Sequence, residues 1–438
     1  MTTTFTRLAS ANAYDNALRN LQQRQTSLAN LQENLTSGKR VVNASDDPTA
    51  AAQAERAQTR MDRIKADQRA LEVQRNAMTE AEGTLGEITD ALQGIRELVV
   101  AAGNPAYTSG ERQAIALQLT GLRDQVFALA NRKDSNGLPL FSALGSTLSP
   151  FVGPNALPQD YTFNGLPGQS ASTEVSIPFS LDGDSAFMLQ PGRDGVFNVA
   201  VTNTVTGLIP TTRTLSTNNA TVTDTTVAAN TSALALATAP VGTINYPTYT
   251  ITISALDTTT VPGQTTATYD IVETPSVSGP IASGTATYTT GANTTIAVAG
   301  LPGLALSITG APAVGDTITV APSRSVFSVL DSAIKDIGGA VNGNAATQAV
   351  AQALGNIDIG MGRISAVRGQ AGDLLNRADR ITDSQSKRSV QLEADRSRAE
   401  DIDMIQGISD FQNQQTAYSA ALQTYAQVQK LSLFNFIS

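Results

Sequence analysis

A chain of 438 residues is longer than single hydrophobic cores usually grow, so two or three domains are expected. Cysteine and histidine are both absent, which excludes thiol nucleophiles, imidazole bases, disulfides and the usual soft or borderline metal ligands. A net charge of −9 argues against general nucleic-acid binding, which needs clustered Lys and Arg to neutralise phosphates. Aromatic residues are only 5% of the chain and tryptophan is absent, so packing is expected to be mostly helix against helix. The first twenty residues lack the basic start and apolar core of a secretory signal peptide, and no apolar run reaches membrane-span length. Any export is expected to proceed without a cleaved signal.

Tyr14, Leu21, Leu28 and Leu35 lie seven apart, with Ala11 and Leu18 on a neighbouring seam. This spacing predicts a heptad helix of roughly 30 residues. Gly38 is placed to end that helix in a left-handed conformation, and Asp47 followed by Pro48 forms an N-cap and first-turn pair for the next one. Leu85, Ile88, Leu92, Ile95 and Val99 predict a helix between Gly83 and Ala102, and Ile115, Leu119, Leu122, Val126 and Leu129 predict another. Asn104, Pro105 and Gly110 punctuate the two, and Asn136-Gly137 with Pro139 closes the second.

Composition shifts near Gly145 and Pro322 to Thr, Gly, Pro and Val. Between residues 146 and 325 ten acids face three arginines, so this insert carries −7 of the −9 and leaves the flanks at −2. Runs such as Tyr249–Ile253 and Thr317–Val320 alternate threonine with aliphatic residues, which reads as short antiparallel strands of a sandwich or partial barrel. A disordered Thr-rich stretch is the competing reading.

Beyond the insert, the loops Gly338-Gly339 and Asn342-Gly343 precede a long helical pattern through Ile357, Met361, Ile364, Leu374, Ala378 and Ile381. Met404, Phe411, Tyr418 and Tyr425 then restore the heptad, accompanied by Ile408 and Leu422, while Gln415 and Gln429 fall on that second seam. An amphipathic surface helix produces such a pattern over two turns; four matched heptads at both ends favour pairing. The expected fold is α+β and multidomain, with the N- and C-terminal heptad helices paired as an antiparallel coiled coil or bundle, and a β-rich insert. Its expected parts are 1–45 with 400–438, 46–145 with 326–399, and 146–325. Carboxylate pairs such as Asp182 with Asp184 or Asp401 with Asp403 suit solvated surfaces as well as acid–base chemistry. No catalysis, metal or cofactor is therefore expected.

The segment Ser37-Gly38-Lys39-Arg40-Val41-Val42-Asn43-Ala44-Ser45-Asp46-Asp47-Pro48, following a heptad helix, resembles the signature of the flagellin superfamily. The resemblance continues in Ile95–Val99, in Leu129-Ala130-Asn131 leading to Asn136-Gly137, and in Ser397–Asp401, and reaches the C-terminus. Three features are similar to the hook–filament junction branch: Pro48 after the paired aspartates, Leu138-Pro139-Leu140-Phe141, and the tail from Ile408 through Gln414-Gln415-Thr416 to Phe434-Asn435-Phe436. Ala44 stands where that branch has proline.

This resemblance implies a non-enzymatic, self-associating ring between hook and flagellin filament, exported by the flagellar type III route. The implied partners are other copies of the chain, hook-associated protein 1, flagellin, and a cytosolic export chaperone at the C-terminal helix; nucleic acid and membrane are not among them. The implied assembly residues are Tyr14, Leu18, Leu21, Leu28 and Leu35 at one end, and Met404, Ile408, Phe411, Tyr418, Leu422, Tyr425 and Phe434 at the other. Gly38, Lys39, Arg40, Asn43, Asp46, Asp47 and Pro48 form the joint. The filament subunit itself is the competing reading, followed by a type III translocator or adhesin. The zinc peptidase found in some members needs a His-Glu-x-x-His helix, which a chain without histidine cannot build.

Overall fold

A computed structural model describes residues 3–145, 149–155, 160–203, 215–238, 246–274, 279–289 and 295–437. The chain opens with three helices, α1 (Thr3–Ser37), α2 (Pro48–Ala102) and α3 (Ser109–Ala130). Strands β1 (Phe151–Val152) and β2 (Thr162–Phe163) and the single turns α4 (Gly183–Phe187) and α5 (Pro191–Asp194) follow. Next come β3 (Phe197–Asn203), β4 (Leu215–Thr217), β5 (Thr221–Val222) and helix α6 (Thr225–Thr238). The remaining strands are β6 (Thr248–Asp257), β7 (Gln264–Thr274), β8 (Ala282–Thr289), β9 (Thr295–Val298), β10 (Leu304–Gly310) and β11 (Asp316–Pro322). Helices α7 (Val326–Gly338), α8 (Gly343–Glu400) and α9 (Met404–Ile437) close the chain.

Two compact units are distinguished, Met1–Ala70 with Arg380–Ser438, and Leu71–Asp379. In the first, the start of α2 packs on the end of α8 through small side chains. Val41, Ala50, Ala54 and Ala399 form one buried cluster, and Ala57, Met61, Ile64 and Leu392 form the next. Alanine allows close helix approach but buries little area per residue, so this is a thin core. The heptad helices α1 and α9 pack on each other in the same unit.

The second unit holds the thicker core. Helix α3 begins with a capping box, Thr108 accepting from the Glu111 N–H while Glu111 accepts from the Thr108 N–H, and packs on α7. Beside them Phe151, Phe187 and Phe327 meet ring to ring at 5.1–5.7 Å, with Tyr161 5.1 Å from Phe327 and Phe141 5.5 Å from Phe187. These rings come from segments far apart in the chain, so residues distant in sequence share one aromatic core.

The insert is a β-sandwich. One antiparallel sheet has the order β3-β11-β6-β7-β8; in the other, β10 pairs with β4, β5 and β9. Ile318, Ile251 and Ile271 align across β11, β6 and β7 and point into a core shared with Val298, Leu306 and Ile308 of the second sheet. Among the described residues, no strand pairs with the outer edge of β3. Helix α8 covers it with amides spaced four apart: Gln348 donates to the Val199 carbonyl at 3.3 Å, Gln352 to the Asn198 side chain, and Asn356 to the Phe197 carbonyl at 3.0 Å. Covering an edge in this way removes a template for unwanted strand pairing.

Two sequence expectations change and one holds. Gly83 does not start a helix, because α2 runs unbroken from Pro48 to Ala102. A single glycine costs a helix only about 1 kcal/mol, less than the burial of Leu85, Ile88 and Leu92 at 0% exposure returns. The insert also contains α6, whose run of Thr and Ala carried no strand alternation and no apolar stripe. The strand reading holds for the alternating runs, with Tyr249–Ile253 in β6 and Thr317–Val320 in β11.

Candidate assembly interface

The joint is built from two chain reversals held against each other in the first unit. Helix α1 stops at Ser37 because Gly38 takes a left-handed φ of +72°, and the Lys39 N–H closes the turn on the Asn34 carbonyl at 3.1 Å. The next residues meet the reversal between α8 and α9. Arg40 and Val41 donate their N–H groups to the Glu400 carbonyl at 2.7 and 3.3 Å, and Ile402 donates to the Gly38 carbonyl at 3.1 Å. Lys39 and Asp401 thus pair as an antiparallel bridge.

Side chains reinforce this. Lys39 pairs with Glu400, and the Arg40 guanidinium donates to the Ala399 carbonyl at 2.9 Å and reaches Asp47 at 3.3 Å. Asp46 accepts from the Val42 and Asn43 N–H groups at 3.2 and 2.8 Å, which tightens the turn before α2. Asp47 caps α2 by accepting from Thr49 at 3.2 Å and Ala50 at 3.0 Å, with Pro48 at the first helical position. The Ala50 N–H, with help from Arg40, holds the Asp47 carboxyl below the ordinary carboxylate range.

All seven expected joint residues therefore sit in one structure, and its other half went unassigned in the sequence. Ala399, Glu400 and Ile402 supply the backbone partners. Asp403 caps α9 by accepting from Ile405 and Gln406 at 3.0 and 3.2 Å. The signal for it was an aspartate just before an apolar heptad, the same cue that marks Asp47.

Because the joint brings the end of α1 to the start of α9, the two helices pack antiparallel. On α1 the half-buried or buried face runs through Ala17, Leu21, Arg24, Leu28, Leu31 and Leu35, with only Leu21 reaching 9% exposure. On α9 it runs through Gly407, Phe411, Gln414, Tyr418, Ala421 and Tyr425. A Cβ on Gly407 would lie 3.0 Å from Leu35, so that glycine permits the close approach.

The expected seven-residue rows of Leu21, Leu28 and Leu35, and of Phe411, Tyr418 and Tyr425, do lie on this intrachain face. The accompanying seam falls elsewhere. Leu18, Ile408 and Leu422 are 39–46% exposed; Met404, which heads the row of Phe411, is 46% exposed as well, and Ile405 beside it is 86% exposed. The companion positions facing inward are Ala17, Arg24 and Leu31, and Gly407, Gln414 and Ala421, several of which hydrophobicity alone would not select. The side chains of Tyr14 and Phe434 lie outside the described residues.

Among the described residues no cluster of acidic groups is placed to hold a metal, and no helix is long and apolar enough to cross a membrane. The fold is thus of one class: long helices joined to a terminal helix pair through a shared turn, with a β-rich insert. Residues 9–145 match the bacterial flagellin N-terminal helical region and residues 354–437 the C-terminal one, together half of the chain; the chain belongs to the bacterial flagellin family.

Among its relatives is the flagellar hook-associated protein 3 of Salmonella typhimurium, 30% identical over 209 residues that cover 45% of this chain and 59% of that protein. The protein of the same name from Escherichia coli is 33% identical over 146 residues, 32% of this chain and 44% of its own length. The chain thus spans less than two thirds of these relatives. The crystal structure of flagellar hook associated protein-3 from Legionella pneumophila superposes with a TM-score of 0.56 at 25% identity, covering 78% of this chain and 97% of that one.

Proposed function

We propose that this chain is the structural subunit of the hook–filament junction, self-associating through its terminal helices into a ring between the hook and the flagellin filament. The observation that carries this reading is the exposed row of Leu18, Met404, Ile405, Ile408 and Leu422 flanking a half-buried helix pair. One copy leaves this apolar surface in water, and neighbouring copies packed alongside would cover it. The names and fold of the relatives add weight to the junction over the filament.

In this reading α1 and α9 form the inner tube, the helices of 46–145 with 326–399 form the layer around it, and the insert of 146–325 faces outward. An acidic insert suits a solvated exterior, and nearly neutral flanks can stand side by side. The hook-side partner is hook-associated protein 1 and the filament-side partner is flagellin. Export proceeds by the flagellar type III route without a cleaved signal, and a cytosolic chaperone holds the row Phe411, Tyr418, Tyr425 and Phe434 beforehand. The subunit performs no catalysis.

Deleting the gene tests the reading. Intact hooks without filaments, with flagellin released into the medium, are expected. Filaments still attached to hooks would overturn it.

A further inference from the structure

Helix α2 changes sign along its length. Residues 48–70 hold five basic and three acidic side chains, whereas residues 71–102 hold six acidic and two basic ones. The basic part opens onto a groove of about 420 Å³ on the first unit, lined by Gln53, Arg56, Arg60, Leu392, Asp395 and Arg398. Arg398 is engaged by Asp395, while Arg56 and Arg60 are both exposed and form no ion pair or hydrogen bond among the described residues. Four residues apart, these two guanidiniums project from one helix face.

The acidic part carries a complementary stripe. Gly83, Glu87, Asp90, Gln93 and Glu97 follow one another at spacings of four and three and are all exposed. Glu87 is paired with Arg132, whereas Asp90 and Glu97 make no ion pair among the described residues. A Cβ on Gly83 would meet nothing within 4 Å, so its place in the helix answers no contact inside the chain and leaves room for another backbone to approach.

We infer that the groove at Arg56 and Arg60 of one copy receives the Asp90–Glu97 stripe of a second copy of this chain. The inference rests on the self-association argued under Proposed function and names the surfaces that carry it. Copies aligned level with one another would set like charges together along α2. Among parallel copies, an axial offset brings arginine to carboxylate. In copies standing parallel around the proposed ring, the groove faces one neighbour and the stripe the other, so the contact is heterologous and closes when its rotation closes. Charge pairs of this kind select register and partner more than they add affinity.

The absence of cysteine allows a direct test with the full chain in its own cells. Gln53→Cys and Gln93→Cys together place one thiol in the groove and one on the stripe, with no other thiol in the protein. Treating sheared flagella with a short bismaleimide is expected to give a ladder of dimers and larger species, and monomer only from either single variant. Adding Arg56→Glu and Arg60→Glu should abolish the ladder, and adding Asp90→Lys and Glu97→Lys on top should restore it. The same reversal and restoration are expected without the thiols, read as the amount of the protein in sheared flagella. Monomer alone from the double-thiol protein present in flagella overturns the pairing but not the placement in the flagellum, as does a charge reversal that changes neither readout. Absence of the unsubstituted protein from sheared flagella overturns the reading beneath it.

Discussion

The N–H of Ile402 donates to the carbonyl of Gly38 over 3.1 Å, so the turn that ends α1 and the turn that begins α9 are parts of one structure. Their directions are set together: a change in the backbone at Gly38 moves the bond that orients α9.

Gly38→Ala tests this coupling. No atom lies within 4 Å of the added Cβ, so the cost is purely that of a left-handed φ of +72° on an L-residue, about 1 kcal/mol. A drop of a few degrees in the unfolding midpoint is expected, with faster amide exchange at Arg40, Val41 and Ile402. Gly38→Asn should cost less, because asparagine tolerates this conformation. Equal losses from both variants would mean the backbone conformation is not the cause.

Asp336 gives a pH-dependent prediction. It lies in the last turn of α7 beside a cavity of about 330 Å³, and burial pushes its carboxyl up to about 6 from 3.8, with Lys335 offsetting only part of this. Between those values the folded chain holds more protons than the unfolded chain at this group. Stability therefore falls as pH rises through the window, and the penalty is complete above it. Asp336→Asn removes the charge and should be more stable than the parent near neutral pH by about 1–3 kcal/mol, with the difference vanishing below about pH 4. Thermal unfolding at the two pH values measures this; a difference that does not change with pH counts against it.

The sequence exposed the parts of the fold that local physics dictates. Gly38, Asp47 and Pro48 set a joint by their own conformational preferences, and the alternation in Tyr249–Ile253 and Thr317–Val320 marked two strands that are paired neighbours, Ile318 opposite Ile251. What depends on distant partners was not legible. The rows through Leu21 and Phe411 were found, yet Leu18 and Ile408 were grouped with them because Arg24, Gly407 and Gln414 look unsuited to a packed face. Only the partner helix reveals that a glycine there admits Leu35. Likewise Phe127 and Phe327, 5.2 Å apart, belong to a core that no window of sequence contains.

Gln385 predicts a stabilising substitution. It is 6% exposed on α8, and neither its amide nitrogen nor its oxygen has a hydrogen-bond partner among the described residues. A buried unsatisfied polar group costs about 1–3 kcal/mol, and an apolar replacement of similar shape avoids that cost. Gln385→Met is expected to raise the unfolding midpoint of the first unit. A lowered midpoint would show that the amide is satisfied by water.

Gly369 should behave in the opposite way to Gly38. It is exposed in the interior of α8, and a Cβ there would meet nothing within 4 Å. Gly369→Ala is expected to stabilise the protein by about 0.5–1 kcal/mol through helix propensity and the smaller entropy of the unfolded chain. If the variant is destabilised instead, the helix at this point departs from regular geometry.

The terminal helix pair yields the last prediction. Each buried large apolar side chain contributes about 1.5–3 kcal/mol, while ordering each residue's backbone costs about 1–2 kcal/mol before hydrogen bonds and packing offset it. In a single copy Leu28, Leu31 and Leu35 are only half-buried against Phe411 and its neighbours, so the balance for α1 and α9 is close to zero. Amides of residues 15–35 should therefore exchange rapidly in the monomer and become protected in assembled flagella, where neighbours cover Leu18, Ile408 and Leu422. Hydrogen exchange on both preparations measures the difference. Leu28→Ala should leave the second unit's unfolding midpoint unchanged yet lower incorporation into flagella severalfold. Slow exchange at residues 15–35 in the isolated chain would mean that the helix pair is stable alone and that assembly does not depend on ordering it.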